Sequence, residues 1–280
     1  MVRCRRCGLV YTNPRPRLTT LTSSYEEEYA VEHQDPELLR LRRRMYEVER
    51  REILHLLSVG RPSRSTGTSG ATPGLDRKRF LDVGCGTGEF LSLIRGDFDV
   101  YGVDVSRTYV QHGREHLGLA NLREGQLSEA GFASDFFDVI QMRGVLQHLP
   151  DPLAQLREAW RVLKPGGLLV ISATPNITSP AARCFGASFR LLAPDQMLYS
   201  FSPTTLIDML AKAGFAGQRF SFPYLSTPYC HWWDGASFVA LLLWLTFRRA
   251  TGGDTNAIKS PPFPRSMMTC YTRKPQTTSL

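Results

Sequence analysis

Phe80-Leu81-Asp82-Val83-Gly84-Cys85-Gly86-Thr87-Gly88-Glu89-Phe90 joins a short run of strand character to a helical pattern through three alternating glycines. A strand-to-helix turn of this kind lies at the carboxyl edge of a doubly wound sheet, where ligands bind. Glycine lets the backbone bend sharply there and approach a ligand with no Cβ in the way. A dinucleotide fingerprint wants its third glycine one position later, where this chain has Glu89, so the spacing disfavours a pyrophosphate. Asp82 points the same way, because its carboxylate would repel a diphosphate but accept a hydrogen bond from a cationic amino-acid group.

Outward from this turn, apolar runs at 98–103, 137–142 and 168–173 alternate with helical patterns at 89–95, 107–117 and 152–163. That alternation predicts an α/β fold with a mainly parallel sheet and helices on both faces. A helix over 203–213 ends at Gly214, and 218–222 and 267–272 supply two late strands. The second strand of the series ends at Asp104, an acidic side chain placed either to accept the hydroxyl protons of a ribose or to cap the next helix.

The segments FLDVGCGTGEFL, YGVDVS and FDVIQMRGVLQHLPDPLAQLREAWRVLKPGGLLVISATPN resemble the motifs of class I S-adenosylmethionine-dependent methyltransferases, over roughly 80–215. The resemblance implies a Rossmann-like, doubly wound sheet of seven strands and S-adenosyl-L-methionine as cofactor. It places Asp82, Gly84, Cys85, Gly86 and Gly88 at the cofactor, with Asp82 near the methionine end and Asp104 and Val105 at the ribose. Gln126 and Leu127 flank the adenine, and Gln141 and Met142 end a strand lining the cofactor. Many relatives carry Asp at the position of Gln126, whose amide oxygen still accepts a hydrogen bond; the exchange costs about 0.5–1.5 kcal/mol.

A sulfonium is already an activated electrophile, so the protein chiefly aligns the acceptor and removes a proton where one must leave. His148, in Gln147-His148-Leu149-Pro150, is the candidate base; the competing reading is a histidine that packs the following turn. In ubiquinone-type O-methyltransferases acidic residues near this histidine bind a metal. Here the neighbours are Met142, Arg143, Gly144 and Gln147, and no metal is expected at this place. Arg143 would pair with a carboxylate or phosphate on the acceptor, or stand on the surface.

Cys4-Arg5-Arg6-Cys7-Gly8 resembles the second knuckle of a zinc ribbon, supplying two of the four ligands a tetrahedral zinc needs, or else two reduced thiols. The expected organisation is an arm over 1–57 with this half motif and an amphipathic helix from Pro36, a flexible Ser/Thr/Gly/Pro-rich linker over 58–76, and a methyltransferase domain over 77–280. The domain carries an aromatic-rich cap at about 224–250. There Tyr229, His231, Trp232, Trp233, Phe238 and Trp244 line an apolar acceptor pocket or fill a core beneath a variable cap. An acidic and aromatic segment at 25–29 resembles one that folds over the cofactor.

The 280 residues carry a net charge of +8, but the basic residues are scattered among acidic ones, which disfavours nucleic acid as a partner. An Asn/Asp-Pro-Pro-aromatic target-base motif is also absent after the fourth strand. Six unevenly spread cysteines give no disulfide framework, and a reducing cytoplasm is expected. The most apolar run, 236–247, is too short for a membrane span, which needs about 20 residues. It reads as a buried helix or lid, or as a peripheral contact with a membrane surface. The predicted function is methyl transfer from S-adenosylmethionine to a small molecule, a glycan or lipid-like precursor among the candidates. The alternative is a catalytically silent relative that keeps the fold as a scaffold.

Overall fold

The computed structural model describes residues 1–15, 36–58, 77–224, 230–253, 255, 258–261 and 263–276. Strands β3 (Arg79–Val83), β4 (Asp99–Asp104), β5 (Leu122–Glu124), β6 (Phe137–Arg143), β7 (Leu163–Pro175), β9 (Ala216–Ser221) and β10 (Met267–Arg273) form one sheet in the order β5-β4-β3-β6-β7-β10-β9. The first five pair in parallel, and β10 runs antiparallel to both its neighbours. A small antiparallel sheet joins β1 (Val2–Arg3) and β2 (Val10–Tyr11) to β8 (Tyr199–Ser200). The expected doubly wound, seven-stranded architecture is the one observed.

The helices are α1 (Pro36–Ser58), α2 (Glu89–Ile94), α3 (Arg107–His116), α4 (Pro152–Val162), α5 (Pro180–Phe185), α6 (Pro203–Lys212) and α7 (Asp234–Ala250). Their starts follow local chemistry. The Asp151 carboxylate accepts from Ala154 N at 2.9 Å, and Pro152 fills the first turn of α4, where its missing N–H costs nothing. Ser202 and Thr205 cap α6 in the same manner, and the chain leaves that helix through Gly214 at φ +96°.

Side chains alternate across each strand. Leu81, Ile140 and Met142 enter a core with Leu156 of α4 and Leu206 of α6, while Phe80 and Val139 enter another with Phe90 of α2 and Ile53 of α1. Helix α1 therefore completes one face of the sheet, and Tyr46 packs edge-on against Phe90 at 5.4 Å.

Two expectations change. β7 starts at Leu163, directly after α4, because Lys164-Pro165-Gly166-Gly167 continues the strand through a register shift against β6. Helix α7 is not a buried helix, and none of its described residues lines the cavity at the carboxyl edge of the parallel strands. It carries two apolar stripes, and only the one bearing Phe238, Leu241, Leu242 and Leu245 is packed, against Phe185 and Ile258. Trp232, Trp233 and Trp244 face outward. The expected linker beyond Ser58, the segment 25–29 and Tyr229 lie outside the described residues.

Candidate active site

Four parallel strands deliver a row of polar side chains to one edge of the sheet. In the order β5, β4, β3, β6, the strand ends bring Gln126, Asp104, Asp82 and Arg143 to a single cavity of about 640 Å³. Strands in a sheet lie about 4.8 Å apart, so the row spans roughly 14 Å.

Asp104 is anchored by backbone. Its Oδ2 accepts from Gly86 N at 2.8 Å and its Oδ1 from Ser106 N at 2.9 Å. The cap of α3 is Ser106, which accepts from Tyr109 N, so Asp104 is not the helix cap. Burial raises its pKa against the lowering effect of those two amides. Asp82 is buried with no hydrogen-bond partner for Oδ1. Burial pushes its carboxyl well above the usual range; the Arg143 cation opposes this, and Glu49 and Asp104 add to it.

The turn between them is shaped by packing. Gly84 has φ +72°, and a Cβ there would sit 2.4 Å from Val145 Cγ2. Gly88 stands away from the cavity wall, at φ +84°, where a Cβ would meet Leu119 Cδ1 at 2.4 Å. Cys85 is buried beneath the turn, and burial raises its thiol pKa.

β6 shows the alternation again. Gln141 and Arg143 both turn toward α1, where Glu49 accepts from Gln141 Nε2 at 3.2 Å and from Arg143 Nε at 3.1 Å. The Arg143 guanidinium lies 4.9 Å above the Tyr46 ring, and burial pushes the Tyr46 phenol up to about 12. Met142 is in the opposite core. Gln141 and Met142 therefore do not line the cavity, and Arg143 does.

Gln126 Oε1 accepts from Gln155 Nε2 at 2.9 Å. Leu127 and the exposed Val105 complete that end. His148 Nδ1 lies 2.8 Å from the Gln196 carbonyl. A carbonyl only accepts, so Nδ1 carries the hydrogen and Nε2 bears the lone pair of the neutral ring. Burial lowers the pKa of this histidine, which favours that neutral form.

The cavity thus gathers Asp82, Gly84, Cys85, Gly86, Asp104, Val105, Gln126, Leu127 and His148. Sequence reasoning missed Arg42 and Tyr46 on α1, Gln155 on α4, and Met197. The helical period of α1 was legible, but which strand ends it faces depends on contacts some 90 positions away, such as Glu49 with Gln141. Cys4 and Cys7 occupy the turn between β1 and β2, where amides of Cys7 and Arg6 lower the Cys4 pKa. No group of three or more His, Cys, Asp or Glu placed to hold a metal exists among the described residues.

A family model described as a methyltransferase domain matches residues 41–218, and the chain belongs to that family. It is 31% identical over 180 residues to the ubiquinone/menaquinone biosynthesis C-methyltransferase UbiE of Vibrio campbellii, covering 54% of this chain and 68% of the relative. It is 30% identical over 161 residues to the ubiquinone biosynthesis O-methyltransferase of Psychrobacter arcticus, covering 53% and 63%. A Bacillus halodurans structure assigned to the methyltransferases shares the fold at a TM-score of 0.50 and 18% identity, over 71% of this chain and 94% of that one. The protein is an S-adenosylmethionine-dependent methyltransferase of class I.

Proposed function

We propose that S-adenosylmethionine lies along the sheet edge, with its adenine at Gln126 and Leu127, its ribose at Asp104 and Val105, and its methionyl ammonium at Asp82. The turn Gly84-Cys85-Gly86 runs beside it. The observation that carries this reading is the pair of carboxylates, Asp82 buried and Asp104 half-buried, on adjacent strand ends in one cavity. Asp82 Oδ1, a buried acceptor that the protein leaves without a donor, matches a cationic amino group. Asp104, fixed by two amides, offers a preset acceptor to ribose hydroxyls.

The cofactor supplies a methyl group on a sulfonium, ready for attack by a nucleophile. The protein's contribution is to hold the acceptor in line and to exclude water. His148, with its Nε2 lone pair, takes the acceptor's proton, and Leu149, Pro150 and Met197 give the neighbouring wall an apolar character. These residues suit a small acceptor with a sizeable apolar or planar part. The names of the quinone-pathway relatives support an aromatic or lipid-like acceptor over a glycan. Family membership and the intact carboxylate pair favour this active reading over a silent scaffold.

Calorimetric titration with S-adenosylhomocysteine, beside an Asp104→Ala variant, tests the cofactor assignment. Binding that the variant loses is expected; equal binding by both proteins would remove Asp104 from the site. Methylated product from a panel of phenols and hydroquinones, detected by mass spectrometry and reduced in His148→Asn with cofactor affinity unchanged, tests the acceptor and the base.

A further inference from the structure

Helix α7 exposes an apolar stripe that no described part of the chain covers. Ala236, Val239, Ala240, Leu243, Trp244 and Phe247 recur at helical spacing and are all exposed, Leu243 by 65% and Phe247 by 63%. Just ahead of them, Trp232 and Trp233 stack face to face, with Trp232 80% exposed. This is a second apolar face, distinct from the one bearing Leu245, which already holds α7 on the protein through Phe185 and Ile258.

The surroundings are basic. Arg248 and Arg249 end the helix, Arg183 on neighbouring α5 is exposed, and Arg190 and Lys259 are exposed on segments joined by the Ser260 N to Ser188 O hydrogen bond. The one acid of α7, Asp234, is turned inward, where its Oδ2 accepts from the Tyr224 hydroxyl and from His231 N. The stripe is thus apolar, with the Arg248 guanidinium 5.6 Å over its Trp244 ring, and it is without an outward carboxylate of its own helix.

From this we infer that α7 lies in the surface of an anionic lipid bilayer, with the tryptophans and the Leu243–Phe247 stripe among the acyl-chain boundary and the arginines at the headgroups. Tryptophan and arginine both suit that boundary, each placing an apolar body inward and a polar end toward water. A second copy of the chain is the poorer occupant. A two-fold interface sets each patch against itself, and each copy would bring its Arg248 to a helix face that offers no outward carboxylate to pair with. No helix among the described residues is long and apolar enough to cross a membrane, so the contact is in the plane of the surface.

Co-sedimentation of the full chain with vesicles tests this. Binding to vesicles of phosphatidylcholine with phosphatidylglycerol, and much weaker binding to phosphatidylcholine alone, is expected. Leu243→Asp with Phe247→Asp should abolish it with an unchanged melting curve. Arg248→Gln should weaken it about fivefold, the effect of roughly 1 kcal/mol for one cation at an anionic surface. Absence of binding to either vesicle overturns the inference, as does equal binding to both. So does a dimer in gel filtration that the double variant converts to a monomer, which would assign the stripe to a second copy. Vesicle binding unaffected by the double variant overturns it as well, because the lipid contact would then lie on another face.

Discussion

Gly86 and Asp104, 18 positions apart, are joined by a 2.8 Å hydrogen bond from the amide of the turn after β3 to the carboxylate at the end of β4. With the bond from Ser106 N, it means that one side chain holds two loops that both border the cavity. Asp104→Asn replaces one accepting oxygen with a donating NH2 group, and one of the two amides then faces another donor. Hydrogen bonds to charged groups contribute about 1.5–3 kcal/mol. The expected result is a lower melting temperature even in the absence of cofactor, and roughly 10- to 100-fold weaker binding of S-adenosylhomocysteine by calorimetry.

Asp82 sets binding against stability. Its folded pKa lies above the unfolded value, mainly through burial. Such a carboxyl stabilises the fold fully below the unfolded pKa, and that contribution is lost as pH rises through the folded pKa. Asp82→Asn should therefore melt higher than the parent at neutral pH. A gain of about 1 kcal/mol corresponds to roughly 2–4 °C in a chain of this size. The gain should vanish in acid, and cofactor affinity should fall. In the parent, affinity should rise with pH as Asp82 ionises to meet a cation; a flat calorimetric pH profile would contradict this.

Glu49 carries the polar contacts of α1 with β6, and Arg143 is partly buried against it. Removing one partner of a fully buried pair costs about 3–5 kcal/mol, because the other is left buried and charged; this pair is partly exposed and should lose less. Glu49→Ala should lower the denaturation midpoint, whereas Glu49→Ala with Arg143→Met should recover most of the loss. A double-mutant cycle with a coupling near zero would show that the pair contributes little.

Gly84 is confined by its own neighbours. With φ at +72° and Val145 Cγ2 placed 2.4 Å from a substituted Cβ, Gly84→Ala should destabilise the fold. Adding Val145→Ala should restore part of the loss, since strain at φ remains, of order 1–2 kcal/mol. Thermal melts of the single and double variants check this.

His148 should act neutral over a wide range. Because burial lowers its pKa, the acidic limb of a kcat profile governed by this base should fall below the usual histidine value. In His148→Asn that limb should disappear along with most of kcat.

The alternation of apolar runs and the glycine turn made β3, β4, β6 and β7 legible, because each carries a short apolar run; β5, three residues of which two are exposed, was not among the strands read. β8 was not, since two residues, Tyr199 and Ser200, carry no period. The site was legible where a residue ends a strand, as Asp82 and Asp104 do. It was not legible where a side chain arrives from another layer: Tyr46 reaches the cavity only because α1 packs on β6. Gln141 was misplaced for the converse reason, its strand position being right and its facing set by Glu49.

β10 enters the sheet between β7 and β9, although it follows both in the chain. Lys274 fastens its end through Asp135 and the Leu163 carbonyl. During synthesis, β9 can emerge and α6 can form, but β9 has no hydrogen-bonded place in the sheet until residues 267–273 have left the ribosome. The edge of β7 stays unpaired over the same interval, a template for wrong partners. Completion of the fold is therefore timed by the last strand made, and a nascent chain stalled before it should remain dependent on chaperones.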